Sequence, residues 1–191
     1  MVAVHPSFFK TVTSIFIIVD FPAPLGPRSP SISPSLSPSI SPSPSPSVSP
    51  SASPSPGWEG YSRGDYAVLP SDDANLETAY AAQDYLDVDT SDDTRVGQTA
   101  SGEYAIHEFK DYVGDLASAT LHWEGQTNQA CSISPVVLEI YNQNTATWDN
   151  VYTDDTSPAD ADFVIEQNIP DLTNYKTGSK TISCRVYQLH L

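Results

Sequence analysis

The chain predicts an all-β fold, an antiparallel β-sandwich of jelly-roll type preceded by a disordered or polyproline-II Ser-Pro linker. Three observations lead there. Residues 31–54 are six consecutive Ser-x-Ser-Pro tetrapeptides (SISP, SLSP, SISP, SPSP, SVSP, SASP). Beyond residue 56 apolar residues recur with period two in several short stretches, the mark of half-buried strands. Clusters of Gly, Asn, Asp and Pro, the residues that build turns, separate those stretches. Short strands of this kind pack as two face-to-face sheets about 10 Å apart.

The repeat divides the chain into a head (residues 1–27), a spacer (28–56) and a tail (57–191). Nine prolines stand between Pro30 and Pro56. Each fixes φ, lacks an amide donor and pushes its predecessor toward extension, which excludes helix and interior strand. Polyproline II remains, and at about 3.1 Å per residue the 27 residues from Pro30 to Pro56 reach roughly 80 Å when extended. Ile32, Leu36, Ile40, Pro44, Val48 and Ala52 spiral around such a helix and form no face to bury. Ser alternating with Pro is also the composition of O-glycosylated stalks. A stalk suits a module held away from something, not a freely diffusing metabolic enzyme.

In the head, Ile15-Phe16-Ile17-Ile18-Val19 is the most apolar run, bounded by Lys10 and Asp20 and followed by Pro22, Pro24 and Pro27. It falls far short of the ~20 residues of a membrane span. It loosely imitates a secretory signal; a strand left from another domain and a misplaced start codon are the alternatives.

The tail holds 23 of the 24 acidic residues and six of the eight basic ones, a formal charge of −17. That charge repels phosphate backbones and disfavours anionic membranes, so nucleic acid is not expected as a partner. All three Trp and all ten Tyr lie in the tail, which argues for a packed core over disorder. Its 135 residues suffice for one domain. Cys131 and Cys184 form either one disulfide, closing a loop of about 53 residues, or two buried free thiols.

Within the tail, Asn75 to Tyr85 is the one helical candidate, with Asp72 and Asp73 as caps, although its apolar stripe of Leu76, Tyr80 and Leu86 is thin. Glu103 to Phe109 alternates Tyr104, Ile106 and Glu108 with Ala105, His107 and Phe109. Leu116 to Glu124 puts Ala117, Ala119, Leu121 and Trp123 on one face. Val136 to Asn142 directs Val136, Leu138 and Ile140 inward; Asn142 to Ala146 is turn chemistry, and Trp148 to Tyr152 returns as a hairpin. Asp162 to Gln167 contributes Phe163 and Ile165. Lys180 to Leu189 buries Ile182, Cys184 and Val186 and leaves Ser183, Arg185 and Tyr187 opposite. Trp123 and Trp148 are both expected in the core.

The hairpin LEIYNQNTATWDNV (Leu138 to Val151) and the strand TISCRVYQ (Thr181 to Gln188) resemble discoidin-type, galactose-binding-like jelly-roll modules. There a strand ends in an I-Y-N or V-Y-N step, a polar turn follows and the next strand opens with Trp. The resemblance covers about 60 of the 191 residues. It implies a non-catalytic module, often carbohydrate-binding and often with structural calcium. The chain departs from the pattern in showing no loop cluster of Arg with aromatics, so no sugar site carries over.

Carboxylates on a turn offer the hard oxygens calcium prefers. Asp87, Asp89, Asp92 and Asp93 form the densest such cluster, and Asp154, Asp155, Asp160 and Asp162 a second; a solvated acidic surface explains either equally. Catalytic motifs are lacking: there is no Gly-x-Ser-x-Gly elbow, P-loop or dinucleotide fingerprint. His107 and His122 read as core-edge or surface strand residues. Tyr104, Tyr141, Tyr152 and Tyr187 read either as a stacking face for sugar rings or as ordinary strand tyrosines. The expectation is a non-catalytic extracellular, cell-surface or virion module for binding or adhesion, meeting a glycan or other cell-surface component. The alternative is a structural subunit of a virion fibre, sheath or surface layer that meets copies of itself.

Overall fold

The computed structural model describes residues 8–9, 14–18, 58–88 and 94–191; the Ser-Pro spacer lies outside them. One unit comprises residues 1–19 and 54–191, and the second, residues 20–53, falls wholly outside the described residues. In chain order the elements are β1 (Phe8–Phe9), β2 (Ser14–Ile18), β3 (Trp58–Tyr66), β4 (Thr78–Ala79), α1 (Ala82–Asp87), β5 (Gln98–Thr99) and β6 (Tyr104–Tyr112). Then follow β7 (Ala119–Gln126), β8 (Val136–Asn142), β9 (Thr147–Asp154), β10 (Asp162–Ile169) and β11 (Thr181–Leu189).

Every strand pairing is antiparallel. The larger sheet has the order β4-β3-β6-β11-β8-β9, the smaller β10-β7-β2, and β1 pairs with β5. The two larger sheets share one core. Ala119, Leu121, Trp123, Ile165 and Ile169 from the smaller sheet join Phe109, Leu138, Ile140, Ile182, Cys184 and Val186 from the larger. That is the sandwich the alternation predicts: β7 buries every second residue from Ala119 to Gly125, and Trp123 is fully enclosed.

The strands from β6 to β11 lie where their alternation places them, each within a few residues. The hairpin β8–β9 turns on Asn142, whose Oδ1 accepts the amides of Asn144 and Thr145 at 3.1 and 3.2 Å. Ala146 completes the turn at φ 55°.

Three features depart from the sequence reading. The helix expected over Asn75 to Tyr85 shrinks to Ala82–Asp87, because the residues before it run along β3. The Leu76 amide donates to Ser62 Oγ at 2.9 Å and the Tyr80 amide to the Tyr61 carbonyl at 2.8 Å. Leu76 and Tyr80 are buried on either side of the short strand Thr78–Ala79. Asp72 and Asp73 therefore cap no helix; Asp84 Oδ2 instead accepts the Ala81 amide at 2.8 Å. Second, Trp58–Tyr66 is a nine-residue strand that its glycines hide from a propensity reading. Gly64 is there for space: a Cβ would lie 2.7 Å from the Tyr66 ring. Third, only Trp123 of the expected tryptophan pair is in the core; Trp148 lies half-buried on the opposite face of the larger sheet.

Gly125, on the core side of β7, is a sharp test of this packing. A Cβ there would stand 2.4 Å from the Trp123 ring, which has nowhere to move. Gly125→Ala is expected to cost about 1–3 kcal/mol of overpacking, whereas Gly60→Ala, with nothing within 4 Å, changes little. Urea unfolding of the two variants checks this: equal midpoints would refute the packing of Trp123 against β7.

Candidate functional site

The chemistry that tertiary structure assembles lies on the outer face of the larger sheet. Residues directly opposite in antiparallel strands share a face. Register therefore aligns Tyr66 with Tyr104, Glu108 with Arg185, Lys110 with Ser183, Arg185 with Glu139, and Tyr141 with Trp148. Arg185 is the centre of this row. Its Nη2 and Nε stand 2.6 and 2.8 Å from Glu139 Oε2, and Nη1 donates to the Pro70 carbonyl at 2.6 Å. Its guanidinium carbon lies 4.2 Å from the Trp148 ring centroid and 5.4 Å from that of Tyr187. The Tyr187 hydroxyl donates to Glu139 Oε1 at 3.1 Å, and Tyr187 meets Tyr104 edge to face at 5.7 Å.

Residues 67–77 cross this face as a strap. The Trp148 indole N–H donates to the Asp72 carbonyl at 3.1 Å. Asp73 Oδ2 accepts Ser183 Oγ at 2.9 Å and Gln143 Nε2 at 3.1 Å. Lys110 Nζ donates to the Asp73 carbonyl and, at 2.8 Å, to Asn75 Oδ1. Under the strap Glu108 is almost fully enclosed. Burial pushes its carboxyl up to about 7, although Lys110 at 3.3 Å opposes the shift. Beyond the strap, Tyr104, Trp148 and Tyr187 remain half-buried, each keeping part of its ring in reach of solvent.

The core side of the same sheet carries a second polar set. The Tyr61 hydroxyl donates to Asp111 Oδ1 at 2.8 Å. Desolvation drives the Asp111 carboxyl up to about 7, with the Tyr61 bond acting against it. His107 is fully buried, its Nδ1 2.5 Å from the Tyr80 hydroxyl in a hydrogen bond whose direction follows the ring tautomer; burial pushes it down to about 3, so the ring is neutral. Tyr61, Tyr80 and Phe109 meet edge to face around these groups.

Of the tyrosines read as a stacking face, Tyr104, Tyr141 and Tyr187 do share the outer face. Tyr141 is covered by Trp148 at 5.1 Å, and Tyr152 sits beside the register shift of β9. The Arg-with-aromatics cluster absent from any loop is built instead from β8, β9 and β11. Arg185, Trp148 and Glu139 lie 37 and 46 residues apart in sequence, and no local pattern joins them.

Asp87 ends α1 and accepts Gln83 Nε2 at 2.7 Å; Asp89, Asp92 and Asp93 lie outside the described residues. Among the described residues no three His, Cys, Asp or Glu gather as metal ligands. In the second acidic cluster, desolvation would raise Asp154, but hydrogen bonds from Ser157 and Thr156 outweigh it and hold the carboxyl below its usual range. Asp162 pairs with Arg95 at 2.6 Å. Cys131 and Cys184 are buried free thiols, and burial pushes both above the usual thiol range. His122 lies on the outer side of the smaller sheet, 3.4 Å from Glu166.

Arg185→Met strands the Glu139 charge beneath the strap and is expected to cost about 3–5 kcal/mol, much of it recovered in an Arg185→Met/Glu139→Met double variant. Denaturant unfolding of the three proteins measures the difference; additive losses would refute the pairing. Asp111 and Glu108 hold their protons more tightly folded than unfolded. Their contribution is complete below about pH 4, near the ordinary values of 3.8 and 4.5, and is lost as pH climbs through about 7. The melting temperature should fall between pH 5 and 8, and Asp111→Asn should flatten that slope; an unchanged slope would place the linkage elsewhere.

Compared with known proteins, the chain matches no family model, no curated protein and no solved structure, so its likeness to discoidin-type modules rests on Leu138 to Val151 and Thr181 to Gln188 alone.

Proposed function

We propose that the chain is a non-catalytic binding module of an extracellular, cell-surface or virion protein, held out on its Ser-Pro stalk and directed at carbohydrate. The observation that carries this reading is the outer face of the larger sheet, where half-buried Tyr104, Tyr187 and Trp148 surround a guanidinium locked by Glu139. Partly exposed rings with a few fixed polar groups suit ligands that are apolar on one side and hydroxylated on the other, as sugar rings are. The acid–base candidates support a non-catalytic role: His107 and Asp111 are spent on Tyr80 and Tyr61 on the core side, away from that face. The −17 charge of the tail favours an uncharged glycan over an acidic one. Calcium at Asp87, Asp89, Asp92 and Asp93 belongs to the same proposal as a structural ion.

A second reading, a structural subunit of a virion fibre, sheath or surface layer, is favoured by one specific observation. The head of the chain supplies a strand, Ser14–Ile18, to the smaller sheet.

The full chain should be retained on at least one neutral polysaccharide in a glycan array, with Tyr187→Ala weakening retention about tenfold, the order of ~1.4 kcal/mol. The absence of retention on every polysaccharide, or retention indifferent to Tyr187, would overturn the carbohydrate reading.

A further inference from the structure

Strand β2 joins the smaller sheet by pairing with β7. It forms the edge beside β7, with Ser14 opposite Glu124, Ile15 opposite Trp123, Phe16 opposite His122, Ile17 opposite Leu121 and Ile18 opposite Thr120. Residues 19–57 then separate it from β3. The other edge of β7 is taken by β10. Without β2, the edge of β7 from Thr120 to Glu124 would present unpaired backbone groups beside the buried Leu121 and Trp123. Such an edge is a template for an added strand.

We infer that this edge is a strand-acceptor seat, and that the head segment of a second copy of the chain fills it, linking copies by strand exchange. Three features of the chain point to that occupant. The segment SIFII is β-branched, aromatic and uncharged, fit to add to a sheet edge. The spacer behind it is proline-laden. Its 27 residues from Pro30 to Pro56 extend to roughly 80 Å, about twice the diameter of a compact domain of this size. The proline content of that sequence predicts an extended link, and an extended link lowers the effective concentration of a head at its own seat, so that a neighbour's seat competes. Finally, the tail's charge of −17 opposes direct packing of module on module, whereas the head carries only Lys10 and Asp20 between residues 1 and 27 and approaches without that penalty. The pairing seen within one chain and the pairing between copies use the same backbone hydrogen bonds, the condition for exchange at low cost.

The inference does not rest on carbohydrate recognition: the seat is on the smaller sheet and the aromatic face on the larger. Its test uses full chains with single added cysteines. Phe16→Cys chains are mixed with His122→Cys chains, unfolded and refolded together, and treated with a short bismaleimide. A covalent species of two chains is expected, about tenfold above a control mixture of Phe16→Cys with Thr145→Cys, whose cysteine lies on the remote β8–β9 turn; chains without added cysteine report any background from Cys131 and Cys184. A Phe16→Cys/His122→Cys double variant that closes only within itself, while the mixture stays monomeric, would overturn the exchange. No cross-link in either sample would overturn the seat as well. Ile17→Pro in the Phe16→Cys chain, which puts a residue without an amide donor into the pairing strand and leaves residues 57–191 unaltered, should abolish the two-chain species; its persistence would also count against strand pairing.

Discussion

Strand β11 is covered on both faces, and the rest of the molecule is arranged around that constraint. Thr181 to Val186 are all buried. A strand enclosed on one side only needs apolar residues at alternate positions. Here Ile182, Cys184 and Val186 meet the inter-sheet core, while Ser183, Arg185 and Tyr187 face outward and must be satisfied there. A buried guanidinium is tolerable only if its donors are matched. Glu139 and the Pro70 carbonyl match them, and the Trp148 ring covers the remaining face.

That requirement explains the strap. Residues 67–77 carry little apolar material for the sheet they cross; Leu76 is the buried exception. Backbone carbonyls and Asp73 hold the strap instead, each accepting from a side chain that rises off the sheet. The outer face is thus a polar layer that excludes water, with aromatic rings at its margin. The same burial keeps the Glu108 proton near neutrality, as the core does for Asp111. The module is therefore tied to pH through carboxyls enclosed within it.

Strand positions were legible wherever a strand keeps one face apolar, and less so elsewhere. β7 and β8 show the period of two openly, and their inward residues are the ones the pattern names. β3 does not: Gly60 and Gly64 weaken the strand signal, and the strand exists because β6 pairs along it. The segment 75–81 reads as helix because Leu76 and Tyr80 are four apart, but the free edge of β3 competes for the same backbone and wins at Tyr61 and Ser62. In the candidate site, tyrosine positions were visible one by one. Arg185 was legible only as a residue of the polar side of its strand.

The sequence by itself determined the all-β class, the inward residues of the alternating strands and the acidic, aromatic character of the tail, because each is a property of neighbours along the chain. Only the tertiary structure decided that Trp148 belongs outside the core, that Arg185 meets Glu139 and Trp148, and that Ser14–Ile18 completes the edge of β7. Those outcomes depend on which strands lie side by side. Strand order is set by the joint burial of residues far apart in sequence, and local periodicity carries no record of it.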